Sequence, residues 1–237
     1  MTAAAMAAML VSSGAARSEV QFGIYGGWNG SFDSDVTVTR GNSDFTLHDV
    51  PWQGLSFDFD GGAPYYGFRG TYWLPSSPWG VMLDYIHAKV RADPDATVDM
   101  SGTYRGKPAP SRTRIDDVFD RFEFTDGLNL ITINAVRQFE MSGGIRPYVG
   151  AGIGLADPHV EVEGPGFPET FEYQIAGPAA QVLAGLDVLV NRYFSLFGEY
   201  KLTYAGIDAD LTGGGELKTG IWTNHLIVGL AVRFGPR

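Results

Sequence analysis

From residue 20 to residue 234 apolar side chains recur at every second position, in segments separated by glycine, proline and charged stretches. Successive side chains of a β-strand point to opposite faces, so this period predicts strands with one greasy face. The last segment is the clearest: Trp222, Leu226, Val228, Leu230, Val232 and Phe234 share one side, while Thr223, His225, Gly229, Ala231 and Arg233 make up most of the other. Eight such segments are predicted, at about 20–32, 64–74, 79–91, 125–138, 145–161, 175–189, 193–206 and 221–235. Three connectors are tight, Pro75 to Pro78, Glu140 to Gly144, and Asn191 with Arg192; four are long, centred on 33–63, 92–124, 162–174 and 207–220. Long and short alternate along the chain. That rhythm predicts an all-β fold, an eight-stranded antiparallel up-and-down transmembrane β-barrel with four long extracellular loops and both termini in the periplasm. A buried strand of a soluble sandwich also alternates, but its polar face meets water and rarely carries so many glycines.

The two faces differ in chemistry. Phe22, Ile24, Phe68, Val81, Leu83, Ile131, Ile133, Val149, Ile153, Val182, Leu186, Leu196 and Leu202 are assigned to lipid. The complementary positions give a lumen of Tyr25, Arg69, Asp84, Thr132, Asn134, Tyr148, Gln181, Asp187, Glu199, Lys201, His225 and Arg233. A bore of eight strands is only wide enough to be filled by its own side chains, and buried charges persist when paired. Arg69, Lys201 and Arg233 are therefore expected to neutralise Asp84, Asp187 and Glu199 as a plug, in preference to a catalytic reading of Asp84, Glu199 and Lys201. Trp28, Tyr66, Tyr72, Trp79, Tyr85, Tyr204 and Trp222 mark strand ends, where amphipathic rings suit the membrane interface.

Composition narrows the classes further. Seventeen Lys and Arg against 27 Asp and Glu argue against a nucleic-acid partner, and the absence of Cys removes disulfides and thiolate metal sites. Mean hydropathy is near zero, as a barrel requires. Residues 1–16, an apolar run ending in Gly14, Ala15 and Ala16, are expected to be a signal peptide, although the basic residues that usually precede such a run are missing. Residues 17–237 then form a single barrel domain in the bacterial outer membrane, read as a monomer. Gly150, Gly152 and Gly154 do not make a dinucleotide fingerprint, because position 155 is Leu and no helix pattern follows. They are assigned to the lumen, where they leave room for bulky neighbours such as Tyr148. Gly213 to Gly215 lack the ending of a phosphate loop and read as a flexible extracellular loop.

Polar residues on the lipid side at the extracellular ends of the third, fourth and fifth strands are the candidate chemistry. His87 and Lys89 continue the face of Leu83 and Tyr85; Asn129 continues that of Ile131 and Ile133; Asp157, His159 and Glu161 continue that of Ile153 and Leu155. Unexplained polar groups at membrane depth are functional hypotheses by default. His87 and His159 lie two strand spacings apart, roughly 10 Å, so they can converge on one lipid headgroup, whereas sharing a metal needs a bulge at Pro158. His159 and Glu161, at i and i+2, can together ligate a divalent cation. The competing reading is ordinary interfacial polarity above the hydrophobic band. Arg91, Arg105, Lys107, Arg112 and Arg114 suit lipid phosphates, but Asp93, Asp95, Asp99, Asp116 and Asp117 among them favour a solvated, self-paired loop.

The strings PYYGFRGTYWL, WGVMLDYIHAKV, FEFTDGLNL, RPYVGAGIGLADPHVEVE, TFEYQIAGPAAQ, FGEYKLTYAGIDADL, GGGELKT and TNHL, running in order from about Trp52 to Phe234, resemble the lipid A oxidase family of alphaproteobacterial outer membranes. The resemblance implies an enzyme that uses molecular oxygen to oxidise the proximal glucosamine of lipid A, within lipopolysaccharide, to 2-aminogluconate, releasing hydrogen peroxide. His87, Asn129, His159 and Glu161 are then the candidate catalytic residues, Lys89, Arg91 and Asp157 the substrate-binding ones, and His159 with Glu161 the candidate ligands of a divalent or redox metal. The long charged stretch 92–122, and Gly235, Pro236 and Arg237 after the terminal Phe234, depart from the family pattern. The alternative is a non-catalytic outer-membrane barrel serving as scaffold or adhesin through its loops. A narrow solute channel is disfavoured by the filled lumen.

Overall fold

A computed structural model of the chain describes residues 18–55, 64–165 and 167–235. The expected signal peptide, 1–16, lies outside the described residues, as do 56–63 of the first long connector and 236–237. Strands numbered in chain order are β1 (Glu19–Ser31), β2 (Ser34–Arg40), β3 (Ser43–Val50), β4 (Trp52–Gly54), β5 (Tyr66–Trp73), β6 (Trp79–Ala92), β7 (Thr97–Tyr104), β8 (Lys107–Pro108), β9 (Arg112–Arg114), β10 (Arg121–Gln138), β11 (Ile145–Gly164), β12 (Phe167–Tyr173), β13 (Gly177–Leu189), β14 (Phe194–Asp210) and β15 (Glu216–Phe234). Eight of them close a ring in the order β1, β5, β6, β10, β11, β13, β14, β15, with β15 pairing back to β1 from Val20 opposite Phe234 to Ser31 opposite Thr223. Every neighbouring pair in the ring is antiparallel. No described helix is long and apolar enough to cross a membrane.

The faces fall as the alternation predicts. Ile153 is 71% exposed and Ile24 66%, and Leu83, Ile133, Val182 and Leu230 are likewise exposed, forming the apolar outer belt. All twelve residues assigned to the lumen are buried. Their charges pair: Lys201 Nζ contacts Asp84 and lies 3.4 Å from Glu199, Arg69 meets Glu199 at 2.7 Å, and Arg233 meets Asp187 at 2.7 Å. Neutral donors complete the network, with the Tyr25 hydroxyl donating to Asp84 at 2.9 Å and the Gln181 amide at 3.1 Å. Glycines are spent where bulky lumen groups need the space. A Cβ on Gly152 would sit 2.1 Å from the Asn134 amide oxygen, and one on Gly185 would meet the Tyr148 hydroxyl at 2.5 Å.

The long connectors differ from expectation. A strand tilted across the bilayer needs only about 9–11 residues; β11 has 20 and β15 has 19, so the wall continues well above the membrane. Segment 207–220 is mostly strand, its turn reduced to 211–215, and 162–174 is the β11–β12 hairpin. The upper end of β15 pairs with β2, which pairs with β3, which pairs with β7, so the first and second connectors carry a sheet of their own. Above the polar bore the inward positions turn apolar. Val36, Val38, Phe45, Leu47, Ile86, Val90, Phe124, Leu128, Val160, Ile207 and Leu217 are buried in one cluster that closes the extracellular end. Asp residues of the second connector pair with its bases, as expected: Arg112 with Asp99 at 3.2 Å and Arg114 with Asp95 at 3.0 Å and Asp116. The hydrogen bonds from Arg114 hold the Asp116 carboxyl below the usual carboxylate range.

Among the described residues, a bore packed by ion pairs below and by aliphatic side chains above leaves no continuous water path. Reconstituted in planar bilayers, the barrel is expected to show no steady unitary conductance; discrete, ion-selective openings in the unmodified chain contradict this packing.

Candidate functional site

The outer wall carries a polar cluster directly above the apolar belt on β5, β6, β10, β11 and β12. Cross-strand register sets it: Tyr66 lies opposite His87, His87 opposite Asn129, Asn129 opposite Asp157, and His159 opposite Tyr173. The same residue parity that turns Leu83, Ile131 and Ile153 to lipid turns His87, Asn129 and His159 outward as well.

These groups are nevertheless buried, which sequence periodicity alone does not reveal. His87 and His159 are each 5% exposed, Asn129 4%, Glu161 3% and Lys89 0%. Their cover is local. The Tyr66 ring stacks on His87 at 4.6 Å, and Phe171 and Tyr173 present edges to His159 at 4.4 and 4.6 Å. Arg91 and Asp157 stay half-buried at the rim, Arg91 donating to the Gln53 amide oxygen at 2.9 Å.

The remaining cover comes from a bulge. Between Phe124 and Leu128 four steps of β10 face two steps of β6, from Val90 to Ala88, so two extra residues are accommodated there. An even insertion leaves the facing of the strand unchanged on both sides while pushing the unpaired stretch outward. The bulge at Pro158 that a metal shared by His87 and His159 would need is not there: Pro158 pairs regularly with Leu128, the bulge lies on the neighbouring strand, and His159 keeps its outward face. Gly127, at φ +130°, makes the bend; a Cβ there would lie 2.6 Å from Asn129 Oδ1 and 2.7 Å from His87 Cε1.

Two polar sub-clusters result. In the first, Asn129 Oδ1 accepts from the Tyr85 hydroxyl at 2.9 Å and lies 2.9 Å from His87 Nδ1. An amide oxygen only accepts, so His87 Nδ1 carries the proton and Nε2 keeps its lone pair. That Nε2 is buried and has no hydrogen-bond partner. In the second, Glu161 Oε1 accepts from Thr125 N at 3.1 Å, Thr125 Oγ1 at 3.2 Å and Asp126 N at 2.8 Å, all from the bulge. His159 Nδ1 stands 3.3 Å from Glu161 and 3.9 Å from Asp126, and the Tyr173 hydroxyl donates to the Asp126 carbonyl at 2.8 Å. The histidines thus have separate partners. Asp126, Thr125, Tyr66, Phe171 and Tyr173 were not among the sequence candidates; the Asp126-Gly127 pair inside a strand pattern was the available sign of a bulge.

The family model of the outer membrane protein beta-barrel domain matches residues 1–234. Solved structures similar to the chain include Neisserial surface protein A, 18% identical over 92% of this chain and 97% of that one with a TM-score of 0.46. OprG from Pseudomonas aeruginosa is 14% identical over 93% and 96%, at 0.41, and the outer membrane protease OmpT from Escherichia coli is 8% identical over 92% and 97%, at 0.43. No curated protein matches the chain.

Proposed function

The chain belongs to the outer membrane protein beta-barrel domain family, and from that premise we propose that it is an outer-leaflet enzyme oxidising the proximal glucosamine of lipid A to 2-aminogluconate with molecular oxygen. The observation that carries the reading is the outward cluster beside His87, whose Nε2 is buried without a partner, on a barrel whose own bore is filled. The resemblance of PHVEVE and FEFTDGLNL to lipid A oxidases supports it, since these two strings hold His159, Glu161, Asp126 and Asn129.

A lateral site suits an amphipathic substrate. The acyl chains remain in the bilayer against Leu83, Ile131 and Ile153 while the sugar reaches the polar cluster, so no lipid is extracted into water. Arg91, with its Nε unpartnered, and Asp157 stand at the rim to meet the headgroup, and buried Lys89 adds positive potential beside them. His87 Nε2 takes the proton from the anomeric hydroxyl as general base. Asn129, in turn held by Tyr85, fixes the tautomer that leaves Nε2 able to do so. The anomeric carbon gives up a hydride equivalent as its oxygen loses the proton, and oxygen gains both electrons and both protons as hydrogen peroxide. Water then opens the resulting lactone to the acid. A redox metal would supply oxygen activation, which side chains perform poorly; His159, Glu161 and Asp126 are the donor set that fits one.

The test is expression of the chain in an outer membrane whose lipid A has a free anomeric hydroxyl on the proximal sugar and is otherwise unmodified, followed by mass spectrometry. The expected product carries one additional oxygen on the proximal sugar. Unchanged lipid A, with oxygen and first-row divalent metals supplied and the barrel folded, removes the oxidase reading and leaves the non-catalytic scaffold.

A further inference from the structure

We propose that Asp126, His159 and Glu161 form a site for a first-row divalent cation on the lipid-facing wall, with the β10 bulge as the device that supplies its third ligand. One ligand atom from each residue lies within 4.8 Å of the other two. For metal bonds of about 2.0–2.2 Å, adjacent donors sit roughly 3.0–3.5 Å apart. The 3.3 Å between His159 Nδ1 and Glu161 already meets that spacing. The 3.9 Å to Asp126 closes with a small side-chain rotation, which an aspartate 41% exposed on a bulge is free to make.

Three independent features point to a cation. His159 Nδ1 is buried and makes no hydrogen bond, although two carboxylates face it. A donor hydrogen on that nitrogen would be expected to settle on one of them; a lone pair aimed between them waits for a positive centre. Secondly, three donors from the bulge converge on Glu161 Oε1, which sets the orientation of this carboxylate before any ligand arrives. Thirdly, two acidic side chains face one imidazole nitrogen in a setting walled by Phe171 and Tyr173, where a divalent ion offsets the cost of crowding them together.

The donor set selects among ions. Imidazole nitrogen with two carboxylate oxygens suits zinc, manganese or ferrous iron, whereas calcium is served by oxygen alone. Three protein donors leave coordination positions open, the arrangement of a site that takes a further ligand. The inference rests on and deepens the oxidase reading, for which the same three residues would hold the redox metal, but it concerns binding and is measured apart from turnover.

Full-length barrel, refolded in detergent and stripped with a chelator, is titrated with zinc or manganese by equilibrium dialysis. One equivalent per barrel is expected, with affinity lowered by roughly a hundredfold in Asp126→Asn and Glu161→Gln. Manganese bound to the unaltered chain should show nitrogen hyperfine coupling in its electron paramagnetic resonance spectrum, lost in His159→Gln. Asp116→Asn, an exposed loop carboxylate, should bind as the unaltered chain does. Folding of each variant is read from the mobility of the unheated barrel on gels. Substoichiometric uptake by the folded unaltered chain, or undiminished binding by Asp126→Asn and Glu161→Gln, overturns the site. A barrel that binds metal yet leaves lipid A unchanged keeps the site and removes the oxidase; a folded barrel that oxidises lipid A yet takes up no metal does the opposite.

Discussion

Replacing His87 by alanine is expected to lower the rate of lipid A oxidation by about a hundredfold or more, the usual contribution of a positioned general base. The substitution removes the Nε2 lone pair, the ring that Tyr66 covers and one of the two contacts to Asn129 Oδ1. None of these belongs to the ladder or to the bore, so the barrel should still refold and migrate as a compact species when unheated. His48→Ala supplies the comparison, because His48 is an exposed residue of β3 paired with Asp35, remote from the outward cluster, and its loss should leave the rate unchanged. Full retention of rate in His87→Ala would reduce His87 to a packing residue beneath Tyr66 and move the base elsewhere in the cluster.

Lys201→Met is expected to cost about 3–5 kcal/mol of stability, the range for stripping one partner from a buried ionic network. Lys201, Asp84 and Glu199 all have fully buried side chains. Glu199 keeps Arg69 at 2.7 Å, but Asp84 keeps only neutral donors, Tyr25 and Gln181. Methionine fills much of the space of the lysine stem, so the loss reports charge and not a cavity. The double replacement Lys201→Met with Asp84→Leu should recover a large part of the deficit, because it removes both charges together. Urea unfolding in detergent micelles measures all three. A loss below about 1 kcal/mol, the scale of a solvated pair, would mean that the bore admits water and is not the dry plug described here.

Alternation made the ring and its two chemistries legible. Ile24, Leu83 and Ile153 against Tyr25, Asp84 and Gly152 needed no more than period two, because lipid outside and a narrow bore inside impose opposite demands on neighbouring residues. The extracellular sheet is less visible, although Val36, Val38, Phe45 and Leu47 alternate about Gly41 and Asn42, a hairpin signal inside the first long connector. Its strands hide because they add to an existing wall and do not close one of their own. The outward placement of His87, Asn129, His159 and Glu161 followed from periodicity, yet their burial did not: it depends on Tyr66, Phe171 and Tyr173 arriving from other strands. Asp126 escaped because an insertion of two residues preserves facing, so the pattern on either side of the bulge reads as unbroken.

The most direct measurement of the proposed chemistry is isotopic. Purified barrel is incubated with lipid A under ordinary oxygen in water enriched in heavy oxygen, and both the product and the peroxide are analysed. The added oxygen of 2-aminogluconate is expected to carry the label of the water, with one hydrogen peroxide formed per sugar oxidised. Oxygen inserted from the gas, or lipid A recovered unaltered from a folded, metal-supplied barrel, contradicts it.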